Sequence, residues 1–343
     1  MKASERSSPD VATNQPAHAL TLQAPLQRVT QWASRFRELN ILIALLLLCA
    51  FLSLTSPVFL TTGNLFGVAR AFSLTAIVAI GQTFVILTGG IDLSVGSVLA
   101  LAGLSAGMLL QRGMPLPIAA LAGLAVGVVF GLANGLMITR IGLPPFIATL
   151  GTLSIGRGLV YVITKGYPVT VPEDAHAFIW LGQGYVWIVP VPVIIMVLLT
   201  IVGALVLGAT MFGRYVYAVG GNREAARLAG IPVRLVELSV YVISGALAAL
   251  AGLILVARLV SAQPSAGLGF ELPVIAASII GGTSLMGGEG TVLGAVLGAA
   301  IMGVLENGMV LLGVSTYAQQ AVTGAVIILA VMLDIWQKRR RGA

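Results

Sequence analysis

The side chains able to do chemistry are few and widely spaced. Aspartate and glutamate together number 12, and lysine and arginine 19, in 343 residues. Asp92 stands among glycines in Gly-Gly-Ile-Asp-Leu-Ser-Val-Gly, residues 89–96. Glu306 adjoins Asn307 within an apolar run, and Asn134, Gln319 and Gln320 interrupt others. The longest polar interruption, residues 212–238, contains Arg223-Glu224-Ala225-Ala226-Arg227. A Gly-x-x-x-x-Gly-Lys-Ser/Thr phosphate loop, a His-Glu-x-x-His pair and a Gly-x-Ser-x-Gly turn are all missing from the sequence. ATP hydrolysis by the phosphate-loop route is therefore excluded, and energy for any active transport must come from another subunit or an ion gradient. The single cysteine, Cys49, lies in an apolar run, and His176 has no second histidine or cysteine near it. No metal site is expected.

These groups must be positioned by elements that are not soluble. Only 9% of residues are charged and 58% are hydrophobic, with a mean hydropathy of +1.02. An ordinary water-soluble domain is about 25% charged. Composition excludes a soluble enzyme, a disordered chain and a nucleic-acid binder. The apolar runs are continuous rather than alternating, which predicts helices rather than a barrel. A span needs about 20 mainly apolar residues. The expectation is an all-α polytopic membrane protein of about ten spans. They fall near 40–59, 72–89, 95–111, 116–138, 146–164, 187–211, 236–258, 272–286, 291–312 and 316–334. The 42 glycines suit close helix packing in lipid.

Basic residues orient the bundle. Both ends placed in the cytoplasm put Lys2, Arg6, Arg28, Arg35, Arg37, Arg140, Arg214, Arg223, Arg227, Arg234, Lys338, Arg339, Arg340 and Arg341 there. Arg70, Arg112, Lys165 and Arg258 remain outside, and Arg157 falls within a span. Residues 1–38 read as a mostly disordered cytoplasmic tail with a short interfacial helix around Leu26–Leu39. Residues 39–335 form the membrane domain, with a cytoplasmic loop at 212–236, and 336–343 a basic cytoplasmic tail. The aromatic segment 165–187, with Trp180, Tyr185 and Trp187, lies outside and suits an interfacial belt or a short helix.

The cytoplasmic loop carries its own punctuation. Asn222 can N-cap a helix after Gly220 and Gly221. Ala225 and Ala226 favour the helix, and Glu224 and Arg227 suit its positive and negative ends. Gly230 fits a left-handed C-terminal position, and Pro232 stops the helix. A helix of two turns is unstable alone, so something must hold it. Two roles fit: a loop helix on the membrane surface, or a docking element for a cytoplasmic partner.

The stretch GGNREAARLAGIPV, residues 220–233, resembles the EAA-type coupling segment of ABC importer permeases, and most closely the ribose/xylose/galactoside branch. LTGGIDLSVGSVLALAG at 87–103, PPFIATLGTLSIGRGLVYVITKG at 144–166, IIGGTSLMGGEGTVLGAVLGA at 279–299 and ENGMVLLGVSTYAQQAVTGAVIILAV at 306–331 match that branch in order. The resemblance implies a non-enzymatic inner-membrane permease subunit for a monosaccharide. It implies a second permease chain forming a homodimer, a cytoplasmic ATPase binding ATP and magnesium, and a periplasmic-type sugar-binding protein. No cofactor is implied for this chain itself. Asn222, Arg223, Glu224, Ala225, Ala226, Arg227 and Gly230 would meet the ATPase. The glycine-rich turns, with Gly89, Gly90, Asp92, Ser94 and Gly96 in one and Gly281, Gly282, Gly287, Gly288 and Gly290 in the other, would lie beside that contact. Asp92 or Ser94 is also placed to cap the third span.

Asn134, Glu306, Asn307 and Gln319 are candidates for the substrate path, since amides and carboxylates hydrogen-bond sugar hydroxyls. Interhelical hydrogen bonding is the other role open to them. Arg157 is expected to snorkel or to pair within the bundle. Two further functions are weighed against the sugar importer: a branched-chain amino-acid ABC permease and an ion-coupled secondary transporter. The second needs buried carboxylates, and only Glu306 and, at an edge, Asp92 are available.

Overall fold

The computed structural model describes residues 37–341, with only the backbone described at 37, 333, 334 and 337–341. The chain divides into Met1–Arg37 and Glu38–Ala343, and the helix bundle belongs to the second unit. The expected tail at 1–38 and its interfacial helix lie, but for their last residues, outside the described part.

The fold is helical, as continuous apolar runs require when backbone groups have no water to bind. The helices are α1 (Arg37–Thr55), α2 (Thr62–Leu87), α3 (Val95–Gln111), α4 (Leu116–Leu136), α5 (Pro145–Thr164), α6 (His176–Gln183) and α7 (Val191–Ala209). They continue with α8 (Met211–Gly221), α9 (Arg223–Leu228), α10 (Val233–Leu259), α11 (Glu271–Ile280), α12 (Val292–Leu311) and α13 (Thr316–Arg341). Prolines in the first turns of α4, α5 and α7 start those helices where no N–H partner is needed. A π-helical turn, Met137–Ile141, extends α4 and ends at Gly142 with φ 85°. Four two-residue strands form two antiparallel pairs: β1 (Val169–Thr170) with β4 (Ser261–Ala262), and β2 (Tyr185–Val186) with β3 (Val189–Pro190).

Among the described residues, seven helices are long and apolar enough to cross a membrane, including α4 with its π turn. Val95–Gln111, Glu271–Ile280 and Thr316–Met332 are shorter apolar helices. The ten expected spans thus correspond to seven long helices and three short ones. The expected span 72–89 begins earlier, at Thr62. Arg70 is therefore inside α2, where its guanidinium stacks 4.4 Å from the Tyr185 ring centre. The expected span 272–286 is corrected more deeply. Its helix stops at Ile280, because Gly281 and Gly282 begin a turn that runs to Thr291.

The core lies where α10 meets α2, α3 and α4. Gly123, Gly127, Gly131 and Gly135 repeat every fourth residue along α4 and face α10. A side chain at Gly127 would overlap the Gly245 carbonyl, and one at Gly245 the Gly127 carbonyl. The backbones touch there, the close approach that small residues permit in lipid. A smaller cluster of Leu52, Phe59, Val68 and Val304 joins α1, α2 and α12. The ends of α2 and α8 and the turn 281–291 meet at one end of the bundle, called here the glycine end. The paired strands lie at the other, the strand end.

Candidate functional site

The polar helix α9 begins as its residues dictate. The Asn222 side chain accepts the Ala225 N–H at 2.9 Å. At the other end Gly230 adopts φ 79°, and the Ile231 N–H returns to the Ala226 carbonyl at 3.0 Å. Pro232 then precedes α10. What holds so short a helix is a side-chain clamp: Arg223 grips Glu237 of α10 through Nε to Oε1 at 2.8 Å and Nη2 to Oε2 at 2.9 Å. Two parallel bonds fix direction as well as distance. Glu237 is buried and Ala226 packs inward, while Glu224, Ala225, Arg227 and Leu228 are exposed. Leu228 is 82% exposed, an apolar side chain set between charges on a capped, clamped helix.

Beside α9 lies a cleft of about 1030 Å³. Its walls are α9, the start of α10, the π turn through Pro145 and the glycine turn at Thr88–Gly90. Arg140, Arg223, Arg227 and Arg234 line it, with Glu224 and Glu237. The surface is basic in excess and suits acidic or mixed-charge protein surface.

The two glycine-rich turns are joined to this region. The Gly288 N–H donates to the Leu87 carbonyl at 2.9 Å. A side chain at Gly220, near the end of α8, would overlap that same carbonyl. Three backbone segments thus meet at Gly220, and α8 leads directly into Asn222. Tyr217 of α8 adds a bond to the Gly290 carbonyl at 2.8 Å. Gly281 and Gly294 touch through their backbones, and Gly282, Gly287, Gly288 and Gly290 have positive φ.

The first turn encloses a polar knot. Asp92 is buried. Its Oδ1 accepts the Ser94 N–H at 2.9 Å and hydroxyl at 2.6 Å, and its Oδ2 accepts the Ser244 hydroxyl at 2.8 Å. Burial pushes its carboxyl pKa up, and the Ser94 and Ser244 bonds oppose that rise. Asn134 donates to the Ser94 hydroxyl at 2.9 Å and accepts from Thr152 at 2.7 Å. With its amide nitrogen toward the Asp92 carbonyl, Gln82 pairs with the Asp92 backbone at 3.1 Å on both sides. The knot ties α2, α3, α4, α5 and α10 together. Neither expected cap of α3 forms in the usual way. Asp92 holds the Ser94 N–H, and the Ser94 hydroxyl points back to Asp92 instead of into the helix.

The candidate path residues do not converge. The amide of Asn134 is engaged within the knot. Asn307 exchanges two amide bonds with Asn64, at 2.8 and 3.1 Å. Gln319 donates to the Val314 carbonyl at 2.8 Å. Glu306 is exposed on α12. Arg157 pairs within the bundle: Nη1 donates to the Pro264 and Ala266 carbonyls at 3.0 and 2.7 Å. Glu237 and Leu228 are not legible as site residues from the sequence alone. Glu237 sits in a helix that reads as a plain span, and its partnership with Arg223 skips 14 positions.

Residues 64–331 match the family model described as "Branched-chain amino acid transport system / permease component". The chain belongs to that permease family. The permease is 47% identical over 299 residues to the ribose import permease protein RbsC of Escherichia coli K12, across 87% of this chain and 93% of that one. It is 46% identical over 299 residues to the ribose import permease of Bacillus subtilis 168, across 87% and 92%. It is 40% identical over 293 residues to the D-allose transport system permease protein AlsC of E. coli K12, across 85% and 89%. A permease of this kind is an inner-membrane transport subunit, not an enzyme.

Proposed function

We propose that this permease is the membrane-spanning subunit of an ATP-driven importer for a monosaccharide. Two copies form the translocation path. A cytoplasmic ATPase carries ATP and magnesium and docks on α9, and a periplasmic-type binding protein delivers the sugar. Ten crossings with both termini in the cytoplasm place α9, the cleft and the glycine turns on the ATPase side, in keeping with the basic residues there. The observation that carries this reading is α9 itself: capped by Asn222, clamped to α10 through Arg223–Glu237, and exposing Leu228 between Glu224 and Arg227. A helix held so firmly transmits a push from its exposed face to α10, the most central span. The relatives named for ribose and D-allose favour a sugar over the branched-chain amino acid in the family's description.

The test is uptake by proteoliposomes that contain the permease, its ATPase and its binding protein. Labelled ribose, allose and leucine are offered with internal or external ATP, or with a proton gradient. ATP-dependent sugar entry is expected. Leu228→Glu and Gly230→Leu should abolish uptake while leaving inserted protein, the latter because a branched residue at φ 79° is strained. Leucine entry, or uptake that follows the proton gradient without ATP, would overturn the assignment. Normal uptake by Gly230→Leu would remove α9 from the coupling.

A further inference from the structure

The crossing that ends in α11 is only half helical. Ala262 lies against Gly107 near the strand end of α3, and Gly267 lies against the Gly96 carbonyl. Gly96 is about 22 Å along α3 from Gln111 at 1.5 Å per residue. The chain therefore descends from the strand end deep into the bundle before α11 begins at Glu271. Helix α11 has 10 residues, about 15 Å, or half of a hydrocarbon core about 30 Å thick. The other half is a chain of turns. Ala266 N–H returns to Gln263 at 3.0 Å, and Leu268, Phe270 and Leu272 N–H groups return to Ser265, Gly267 and Gly269 at 3.3 Å. Gly267 and Gly269 have φ of 67° and 69°.

Irregular backbone at membrane depth survives only where protein covers it or water reaches it. Part of this segment is covered. Arg157 of α5, level with Ser97 because Gly156 packs on that residue, supplies both bonds to the Pro264 and Ala266 carbonyls. The rest is not: Ser265, Leu268 and Gly269 are exposed, and Glu271 is half-buried with its carboxylate against Gly96. A lipid-facing reading would leave turn backbone and a carboxylate in hydrocarbon.

We infer that the turn segment Pro264–Glu271 lines the aqueous path. Glu271 is the carboxylate that accepts hydrogen bonds from a polyhydroxylated solute, and Arg157 is the positioning residue that holds the turns. This rests on the transport reading above and names the element that meets the sugar. The amides of Asn134 and Asn307 are engaged elsewhere, whereas Glu271 is half-buried at the end of the exposed turns, with its carboxylate against Gly96.

The experiment uses the complete importer with Cys49→Ser, so that introduced cysteines stand alone. Ser265→Cys and Leu268→Cys are treated with a membrane-impermeant, trimethylammonium methanethiosulfonate reagent. Ile201→Cys, on the exposed apolar face of α7, is the comparison. Labelling of both turn cysteines at least about tenfold faster than Ile201→Cys is expected of a water-lined segment. Labelling as slow as at Ile201→Cys would overturn the inference. Glu271→Gln should raise the KM for the transported sugar about tenfold, equivalent to about 1.4 kcal/mol, and an unchanged KM would remove its role. Arg157→Lys keeps the charge but not the planar fork. It should change the labelling rate of Ser265→Cys, which a residue serving only bundle stability would leave alone. If no sugar enters the unmodified importer, the transport reading fails, while the labelling still decides whether the turns face water.

Discussion

Gly220 offers a sharp test of how α9 is attached, because its neighbour supplies the control. Both glycines are helical residues at the end of α8. A methyl group at Gly220 would overlap the Leu87 carbonyl and approach the Gly288 N–H, whereas one at Gly221 would meet nothing within 4 Å. Overpacking against backbone costs about 1–3 kcal/mol. Losing the 2.9 Å bond from Gly288 to Leu87 adds about 1 kcal/mol. The helix preference of alanine over glycine returns at most about 1 kcal/mol. Gly220→Ala should therefore destabilise by about 1–3 kcal/mol, and Gly221→Ala should be neutral or slightly stabilising. Thermal denaturation of the purified full chain in detergent measures the difference, with a shift of about 2–4 °C expected per kcal/mol. Uptake by the complete importer should fall for Gly220→Ala and hold for Gly221→Ala. Equal effects at the two positions would refute the claim that α2, α8 and the 281–291 turn are joined through a contact that admits no side chain.

Three further outcomes follow from the same geometry. Arg223→Ala leaves the buried Glu237 without its partner. Because Arg223 is 63% exposed, solvent screening keeps the cost near the low end, about 1–2 kcal/mol; ATP hydrolysis without uptake in the assembled importer is the signature to measure. Asp92→Leu strips the acceptor from the Ser94 and Ser244 hydroxyls and should cut the yield of folded protein, read by size-exclusion chromatography, while Asp92→Asn keeps the shape and most of that yield. Asn64→Ala, Asn307→Ala and their double variant form a cycle whose coupling energy should fall at about 0.6–2 kcal/mol, measured by denaturation; a value near zero would show that the two amides contribute nothing jointly.

Why some of this architecture is readable from residue order, and some is not, comes down to range. The α9 cap needs only Asn222 and the N–H three residues later, and its end needs only Gly230 and Pro232, so local chemistry specifies them. Span positions are legible for a similar reason, since lipid imposes one rule on every long apolar run. The rule fails where protein replaces lipid as the surroundings. At Glu271–Ile280 a run of suitable hydropathy holds only half a crossing, because Arg157, 107 positions away from Pro264, supplies the donor that turn backbone requires. Asp92 likewise draws on Ser244 across 152 positions, so its partners cannot be found by inspecting its own loop. Polar groups inside a membrane are tolerable only with such distant partners, and sequence spacing carries no record of them. The readable part is therefore the frame and the surface helix. The hidden part is the interior polar pairing, and the inference at Glu271 stands or falls on that pairing: with Arg157 holding two carbonyls and Gly96 leaving room beside the carboxylate, the turns need water on their remaining side.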